Sequence, residues 1–509
     1  MSFFSIKSSL LTLTAIAGVL ALKYPDRALF DEHRENVPHP DGLPILGSLL
    51  AISKNKDRYF EFLLELYEQL DTLTFRSSSL TIQRNISTID PQNIEYILKT
   101  NFSNYNKSDT FKVTFHDFLG DGIFNTDGEN WRLQRRTASQ IFHVRNFQTE
   151  FSSIFVHHVQ VMSEHIFDEA ANQSQPIDFH EVMLKFTMDT FVEIAFGVKI
   201  DSLLKQVEFA ESFDAIQFYN FHSMVFPLHT VTNKMRETLN FWSDKKTIAQ
   251  HMSIIDTFVY NIIKERKSQP ENTEDTYFKT DLLLRFMKAK NAEGNLYTDE
   301  ELRNSMLNFI VAGRDTSAQT LSWFFYNVML YPRIENKLLD EITEFIPDGI
   351  ENDTVKLYEA IQKMKYSHAM LYEVLRLYPA VPGNRKQALK DDVLPDGTVV
   401  YKGDEITFQP FCQGRHEKVW GPDAKEFKPE RWLSEKGDLM KADNGKFIAF
   451  HAGPRVCLGQ NMATLEILIA MALLIKNYKF KSFPGHKVEF LNQITLSMKN
   501  GMKVYVEKR

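Results

Sequence analysis

The chain has two cysteines, and one of them, Cys457, lies in FHAGPRVCLG (residues 450–459). A lone cysteine is most often a small buried apolar residue, and that reading also suits Cys412 in FCQGRHEKVW. The neighbours of Cys457 allow something else. Gly453, Pro454 and Gly459 permit a tight turn whose backbone N–H groups point at the sulfur. Arg455 places a positive charge two residues away. The helical apolar run NMATLEILIAMALLI follows at once and brings its positive end close to Cys457. Each of these features favours thiolate over thiol.

A second reactive group sits in AGRDTS, residues 312–317. Asp315 and Thr316 put a carboxylate and a hydroxyl into a stretch that is otherwise apolar, LNFIVAG before and LSWFF after. Gly313 costs a helix about 1 kcal/mol against alanine, which implies a close approach to its backbone. The bland alternative is a threonine bonded back to its i−4 carbonyl with the aspartate on a solvated face. Glu373 and Arg376 in LYEVLRLYP stand three apart on one helix face. Arg431 in KPERW completes a carboxylate–arginine network with them, a structural role on either reading. Trp131 and Arg135 in ENWRLQRR lie one helical turn apart and jointly meet one anion, although basic helix faces are more often merely solvated. The acidic loop around Asp121, Asn125 and Asp127 lacks EF-hand spacing. There is no P-loop and no G-x-G-x-x-G, hence no nucleotide site in the chain.

These groups need elements to hold them. Thr298 and Glu301 form a T-x-x-E capping box, and a helical pattern runs from Asp299 to Leu330, stopping before Pro332. Such a helix is about 48 Å long and carries Gly313, Asp315 and Thr316 near its middle. From about 130 to 380 the chain is mostly helical, with ERKSQPENTEDTY as the clearest internal loop. LKDDVLPDGTVVYKGDEITF (389–408) has short β-type runs separated by turns. The expectation is therefore a mainly helical lobe with a smaller β-containing one.

With 509 residues and 43% hydrophobic content the chain can bury a large core. A net charge of −7 and the absence of a basic stripe argue against a nucleic-acid partner. Two cysteines exclude a disulfide framework and fit a reducing compartment. Residues 8–22, SSLLTLTAIAGVLAL, carry no charge; at roughly 22 Å they fall short of a ~30 Å hydrocarbon core unless MSFFSI is added. A cleaved signal peptide is the alternative. The preferred organisation is a membrane anchor over 1–22, a Pro-rich elbow over 23–47 and a catalytic body over 48–509, facing the cytosol.

Together these segments resemble the cytochrome P-450 family of haem-thiolate monooxygenases. The strongest element is Phe450-x-x-Gly453-x-Arg455-x-Cys457-x-Gly459, followed by Ala463 and Glu466. Ala312-Gly313-x-Asp315-Thr316, the Glu373/Arg376 pair, Arg431 and Trp131-x-x-x-Arg135 occur in the family's order. The resemblance implies Cys457 as the axial ligand of a haem iron, with Phe450 shielding the sulfur. It implies haem propionates met by Trp131, Arg135 and Arg455, and a distal face where Gly313 makes room for oxygen and substrate. Thr316 and Asp315 would relay protons there, while Glu373, Arg376 and Arg431 hold the fold. Ala312 stands where related animal enzymes carry a glutamate esterified to the haem, so the resemblance implies non-covalent haem b.

The implied partner is an NADPH–cytochrome reductase, with or without cytochrome b5, at the endoplasmic reticulum membrane. WGPDAKEFKPERWL, LRLYPAVP and DDVLPDGT look most like the fungal and plant hydroxylases of long-chain fatty acids and alkanes. Phe111, Phe115, Phe118 and Phe124, with Phe213, Phe218, Phe221 and Phe226, suggest a long apolar channel, part of it ordinary core packing. Other readings are a monooxygenase of another lipid or a sterol, an isomerase needing no reductase, and a haem-binding protein without catalysis. The retained Asp315–Thr316 pair argues against the last two.

Overall fold

The helix expected between Asp299 and Leu330 crosses the centre of the molecule, and the other elements are laid around it. The computed structural model describes residues 3–31, 34, 37–79, 84–142, 144–226, 228–239, 246–268, 281–441, 443 and 445–509. The central helix begins with the capping box: the Thr298 hydroxyl accepts from the Glu301 N–H, and the Glu301 carboxylate accepts from the Thr298 N–H at 2.7 Å. It is not uniform. Asp299–Ile310 and Thr316–Leu330 are α-helical, and Val311–Asp315 between them is one π turn. The expected AGRDTS segment thus falls on a bulge, a feature that single-turn π segments often mark at functional sites.

Among the helices that pack on this one, two frame the site. Phe179–Phe196 starts on the Asp178 carboxylate, which accepts from the N–H groups of His180 and Glu181, and ends on Gly197 at φ +66°. Gln460–Asn477 follows the cysteine turn and is apolar and buried almost all round, as a helix enclosed on every side must be. The largest of four sheets among the described residues is a mixed five-stranded one of β1 (Thr74–Ser77), β2 (Asn85–Thr88), β3 (Tyr105–Asn106), β4 (Asn384–Ala388) and β5 (Glu405–Phe408). The order is β1-β2-β5-β4-β3, and only β2 and β5 run parallel, with Ile86 opposite Ile406. The mainly helical fold with a smaller β-region is the one the sequence implied. In the expected loop ERKSQPENTEDTY, the first residues extend the helix Ile248–Ser268, and residues 269–280 lie outside the described ones.

The N-terminal segment is a helix, Phe3–Lys23, with Ile16, Val19 and Leu22 exposed. No helix among the described residues is long and apolar enough to cross a membrane. The Pro-rich segment behind it is tied to the body. Arg34 donates to both oxygens of Asp404 at 2.6 and 3.0 Å and lies over the Tyr401 ring at 4.4 Å. Arg76 pairs with Asp31 in a second buried contact, and the Ala28 N–H donates to Ser78 Oγ at 3.1 Å. Stripping one partner from a buried pair costs about 3–5 kcal/mol. Removal of residues 1–22 is therefore expected to leave the thermal melting of the protein nearly unchanged, whereas removal of 1–47 lowers it sharply. Equal melting of the two truncated chains would mean that these pairs contribute nothing.

Candidate active site

The turn that carries the cysteine is held by backbone geometry. The Cys457 N–H donates to the Phe450 carbonyl at 2.9 Å. Gly453 has φ +63°, and a Cβ there would lie 2.0 Å from the Leu98 carbonyl, so only glycine fits. Gly459, by contrast, has an ordinary φ of −87°, and a Cβ on it would merely touch Cys457 Sγ at 4.0 Å. Cys457 presents accessible surface, yet burial is the largest influence on its thiol. Both are true of a sulfur that looks into a recess inside the protein.

Burial raises the Cys457 thiol, and the N–H groups of Gly459 and Gln460 and the charge of Arg135 pull it down without overcoming that rise. Two expectations change here. The cation that reaches the sulfur is Arg135; Arg455 turns away, donating to the Thr126 carbonyl at 2.8 Å and to Asp127 at 2.7 Å. The protein alone also favours the thiol, and a coordinated metal is what deprotonates such a group outright.

Trp131, Arg135 and Arg455 nevertheless come together as the sequence implied. The guanidinium of Arg455 lies 4.3 Å from the Trp131 ring and that of Arg135 5.9 Å from it, with Arg135 donating to the Val456 carbonyl at 2.8 Å. Sequence reasoning missed the rest of this group. Lys386 on β4 is 1% exposed, and its ammonium has no hydrogen-bond partner among the described residues. Burial, then Lys107 and Arg455, hold that ammonium far below its ordinary range. Burial and Arg455 likewise lower Lys107 to about 8, and burial and Lys386 lower the imidazole of His451 to about 3. Asp127 is the carboxylate that faces them, and it is already engaged by Arg455 and Lys112. Cations buried without matching anions are costly. The cluster fits a ligand that brings its own negative charges beside Cys457, as the two propionates of a haem do.

On the central helix, Ala312 and Thr316 are the half-buried positions of a segment whose other residues are buried. They lie four apart, and the Thr316 hydroxyl donates to the Ala312 carbonyl at 2.6 Å. This is the back-bonded threonine of the bland alternative, but the aspartate is not on a solvated face. Asp315 is buried between Arg314, donating at 2.8 Å, and Gln217, whose amide donates at 2.8 Å. Burial pushes its carboxyl up to about 6 against the pull of Arg314. Arg314 is itself held by Asp214 at 2.5 Å. Gln217 and Asp214 both belong to the helix Glu208–Val225, so one helix grips the acid and its arginine.

Gly313 needs a correction. The close approach its sequence implied is real, but the neighbour is the Phe191 ring, 1.8 Å from where a Cβ would stand. Its missing side chain makes room for a packed helix and not for oxygen or substrate. Ala312 has only a methyl group and no carboxyl with which to esterify a haem.

The supporting network assembles as expected. Arg376 donates from Nε and Nη2 to Glu373, each at 2.7 Å, and Arg431 Nε lies 3.7 Å from the same carboxylate. Trp432 Nε1 and the Lys428 N–H add bonds to Glu373 at 3.0 and 2.8 Å. Arg376 also donates to the carbonyls of Gly414, Ala424 and Glu426.

Residues 37–504 match the sequence profile of the family described as Cytochrome P450. The chain is 35% identical to Cytochrome P450 704B1 of Arabidopsis thaliana over 516 residues, 94% of this chain and 96% of that protein. It is 35% identical to Cytochrome P450 86B1 of the same plant, covering 92% of this chain and 85% of the relative. It is also 35% identical to Cytochrome P450 704C1 of Pinus taeda, covering 92% of each. With its cysteine turn, its buried cations and a profile match across nearly its whole length, the chain belongs to the cytochrome P450 family of haem-thiolate monooxygenases, which draw electrons from a separate redox partner.

Proposed function

We propose that the protein hydroxylates long-chain fatty acids or alkanes at or next to the terminal carbon. The observation that carries this reading is an aromatic wall beside the bulge. Phe118, on the helix Asp109–Leu119, meets Phe213, on Glu208–Val225, edge to face at 5.3 Å. Phe111 stacks on Phe115 at 4.5 Å. Phe115, Phe118, Phe213, Phe221 and Phe226 are buried and pack into the core, and Phe111 and Phe124 keep accessible surface for a ligand. Phe218, 38% exposed, faces outward instead. A methylene chain gains about 0.8 kcal/mol for each CH₂ buried against such walls, so chains of roughly C12–C18 bind without many polar contacts.

Cys457 would hold the haem iron through its sulfur; Trp131, Arg135 and Arg455, joined by Lys107 and Lys386, would hold the propionates, and Phe450 would close the turn over the sulfur. Bound there, the haem supplies oxygen activation. The chain supplies the rest: the Thr316 hydroxyl, aimed by its bond to Ala312, holds a proton at Oγ1, and Asp315 stands one residue behind it as the acid. Exposed Val231 and Met235 on the helix Leu228–Leu239, with the apolar helix Phe3–Lys23, support attachment to a lipid surface. The proposed site is the endoplasmic reticulum, with the body in the cytosol and an NADPH–cytochrome reductase as partner. The test is product analysis with reductase and with lauric, palmitic and oleic acids beside a sterol. The expected products carry the hydroxyl at the terminal or adjacent carbon. Turnover of the sterol alone, or hydroxylation only at mid-chain, would defeat the proposal.

A further inference from the structure

Behind the face that carries Ala312 and Thr316, the central helix meets Phe179–Phe196 without slack, since the Phe191 ring lies directly on Gly313. One turn before Phe191, the buried hydroxyl of Thr187 donates to the Arg314 carbonyl at 2.8 Å, a shorter contact than its alternatives on its own helix, Met183 at 3.0 Å and Leu184 at 3.4 Å. Arg314 lies inside the π turn Val311–Asp315. In a regular α-helix every carbonyl is taken by the N–H four residues on. A π turn breaks that register, so an outside donor is well placed to satisfy a carbonyl within it. Further along the same helix, Thr190 donates to Glu466 Oε1 at 2.5 Å. The two residues just before Asp315 and Thr316 are thus held from one neighbouring helix, Gly313 by the Phe191 ring and Arg314 by the Thr187 hydroxyl.

We propose that Thr187, acting with Phe191, is a positioning residue that fixes the π turn and so aims the hydroxyl of Thr316. The turn contains one residue more than an α-helix needs, and each residue is worth about 100° of rotation. If the turn relaxed into regular helix, Thr316–Leu330 would rotate relative to Asp299–Ile310, and the Thr316 hydroxyl would be re-aimed with it. The hydroxyl of Thr187 bonds a carbonyl whose direction depends on the extra residue, so it holds the bulged form. Thr187 touches neither substrate nor cofactor.

The inference rests on Thr316 as the proton-delivering group, and the experiment separates the two. Thr187→Val keeps the shape of the side chain and removes its hydroxyl; Thr187→Ser keeps the hydroxyl. The reconstituted enzyme is assayed for NADPH consumed, hydrogen peroxide released and product formed, together with haem content, thermal melting and the substrate-induced spectral shift. Thr187→Val is expected to bind haem and substrate as the parent does and to release about five to ten times the share of its reducing equivalents as peroxide. Thr187→Ser is expected to restore coupling. A Thr187→Val enzyme that melts lower yet couples normally would overturn the proposal and leave Thr187 as a packing residue. If Thr187→Val takes up no haem, Phe191→Leu is read in the same assay; it loosens the ring on Gly313 without removing a hydrogen bond. Raised peroxide there upholds the proposal, and unchanged coupling overturns it. Thr316→Ala runs beside both. Normal coupling in Thr316→Ala defeats the role of Thr316, whereas uncoupling in Thr316→Ala alone defeats that of Thr187.

Discussion

Cys457→Ser is expected to abolish the thiolate-ligated spectrum of the protein reduced under carbon monoxide, and Cys412→Ser to leave it intact. The two sulfurs differ in every respect that decides ligation. Cys412 is fully buried and donates to the Phe60 carbonyl at 3.4 Å, and burial drives its thiol far above the ordinary range. A serine there keeps a donor and a similar shape, and the exchange costs on the order of 1 kcal/mol. Cys457 is accessible, faces a recess and has two N–H groups and Arg135 directed at it. A serine hydroxyl in that turn does not become an anion near neutral pH, so it cannot replace the thiolate as donor. The measurement is the carbon monoxide difference spectrum with haem quantified separately. Loss of the band in Cys412→Ser with retention in Cys457→Ser would reverse the ligand assignment.

Glu373→Gln is expected to prevent accumulation of haem-loaded protein. Glu373 and Arg376 have fully buried side chains, and the guanidinium also holds the carbonyls of Gly414, Ala424 and Glu426. Glutamine preserves shape and loses charge, leaving the arginine buried without its counter-ion at a cost of about 3–5 kcal/mol. Against a total stability of about 5–15 kcal/mol that is a large fraction. Arg431→Lys is the control. Arg431 lies farther from Glu373, at 3.7 Å, and keeps Asp423 as a partner at 2.9 Å, so its loss is milder. The readouts are soluble yield, haem per chain and thermal melting. Glu373→Gln protein with normal haem and normal melting would reduce the network to an ordinary surface pair.

The central helix was legible in the sequence because its signals are local. The capping box at Thr298 and Glu301 and the stop before Pro332 lie within a few residues of what they determine. The cysteine turn was legible for the same reason, through Gly453 and Cys457. The π turn was not, since Gly313 signals a close approach but not a change of helical register; the contacts of Phe191 and Thr187 on the turn come from a distant helix. Lys386 and Lys107 were not legible either. Their cationic ends converge only after β4 pairs with β3 and the segment after β3 folds over them, a relation between residues some 280 apart. Asn308 is a similar case. Its amide donates to the Leu119 carbonyl at 2.8 Å and its oxygen accepts from the Phe124 N–H at 3.0 Å, fixing the loop before Trp131 onto the central helix. Arg455 was placed correctly in the cluster but in the wrong relation to the sulfur, because a separation of two residues in a turn says little about where a long side chain points.

The parallel pairing of β2 with β5 has a consequence for how the molecule comes into being. β2 ends at Thr88 and its partner begins at Glu405, so most of the chain must be made before that ladder can close. Gly453 must likewise wait to be seated against Leu98. At about 5–20 residues per second of synthesis, the first strand waits roughly 15–60 s for its neighbour. Sheets closed by such distant contacts form late and slowly. The helices from Asp109 to Leu330 have local bonds and can form on the nascent chain, whereas the pocket beside Cys457 cannot exist until its last residues emerge. Haem can therefore be held only after the turn at Gly453 and Cys457 has been made and seated against Leu98.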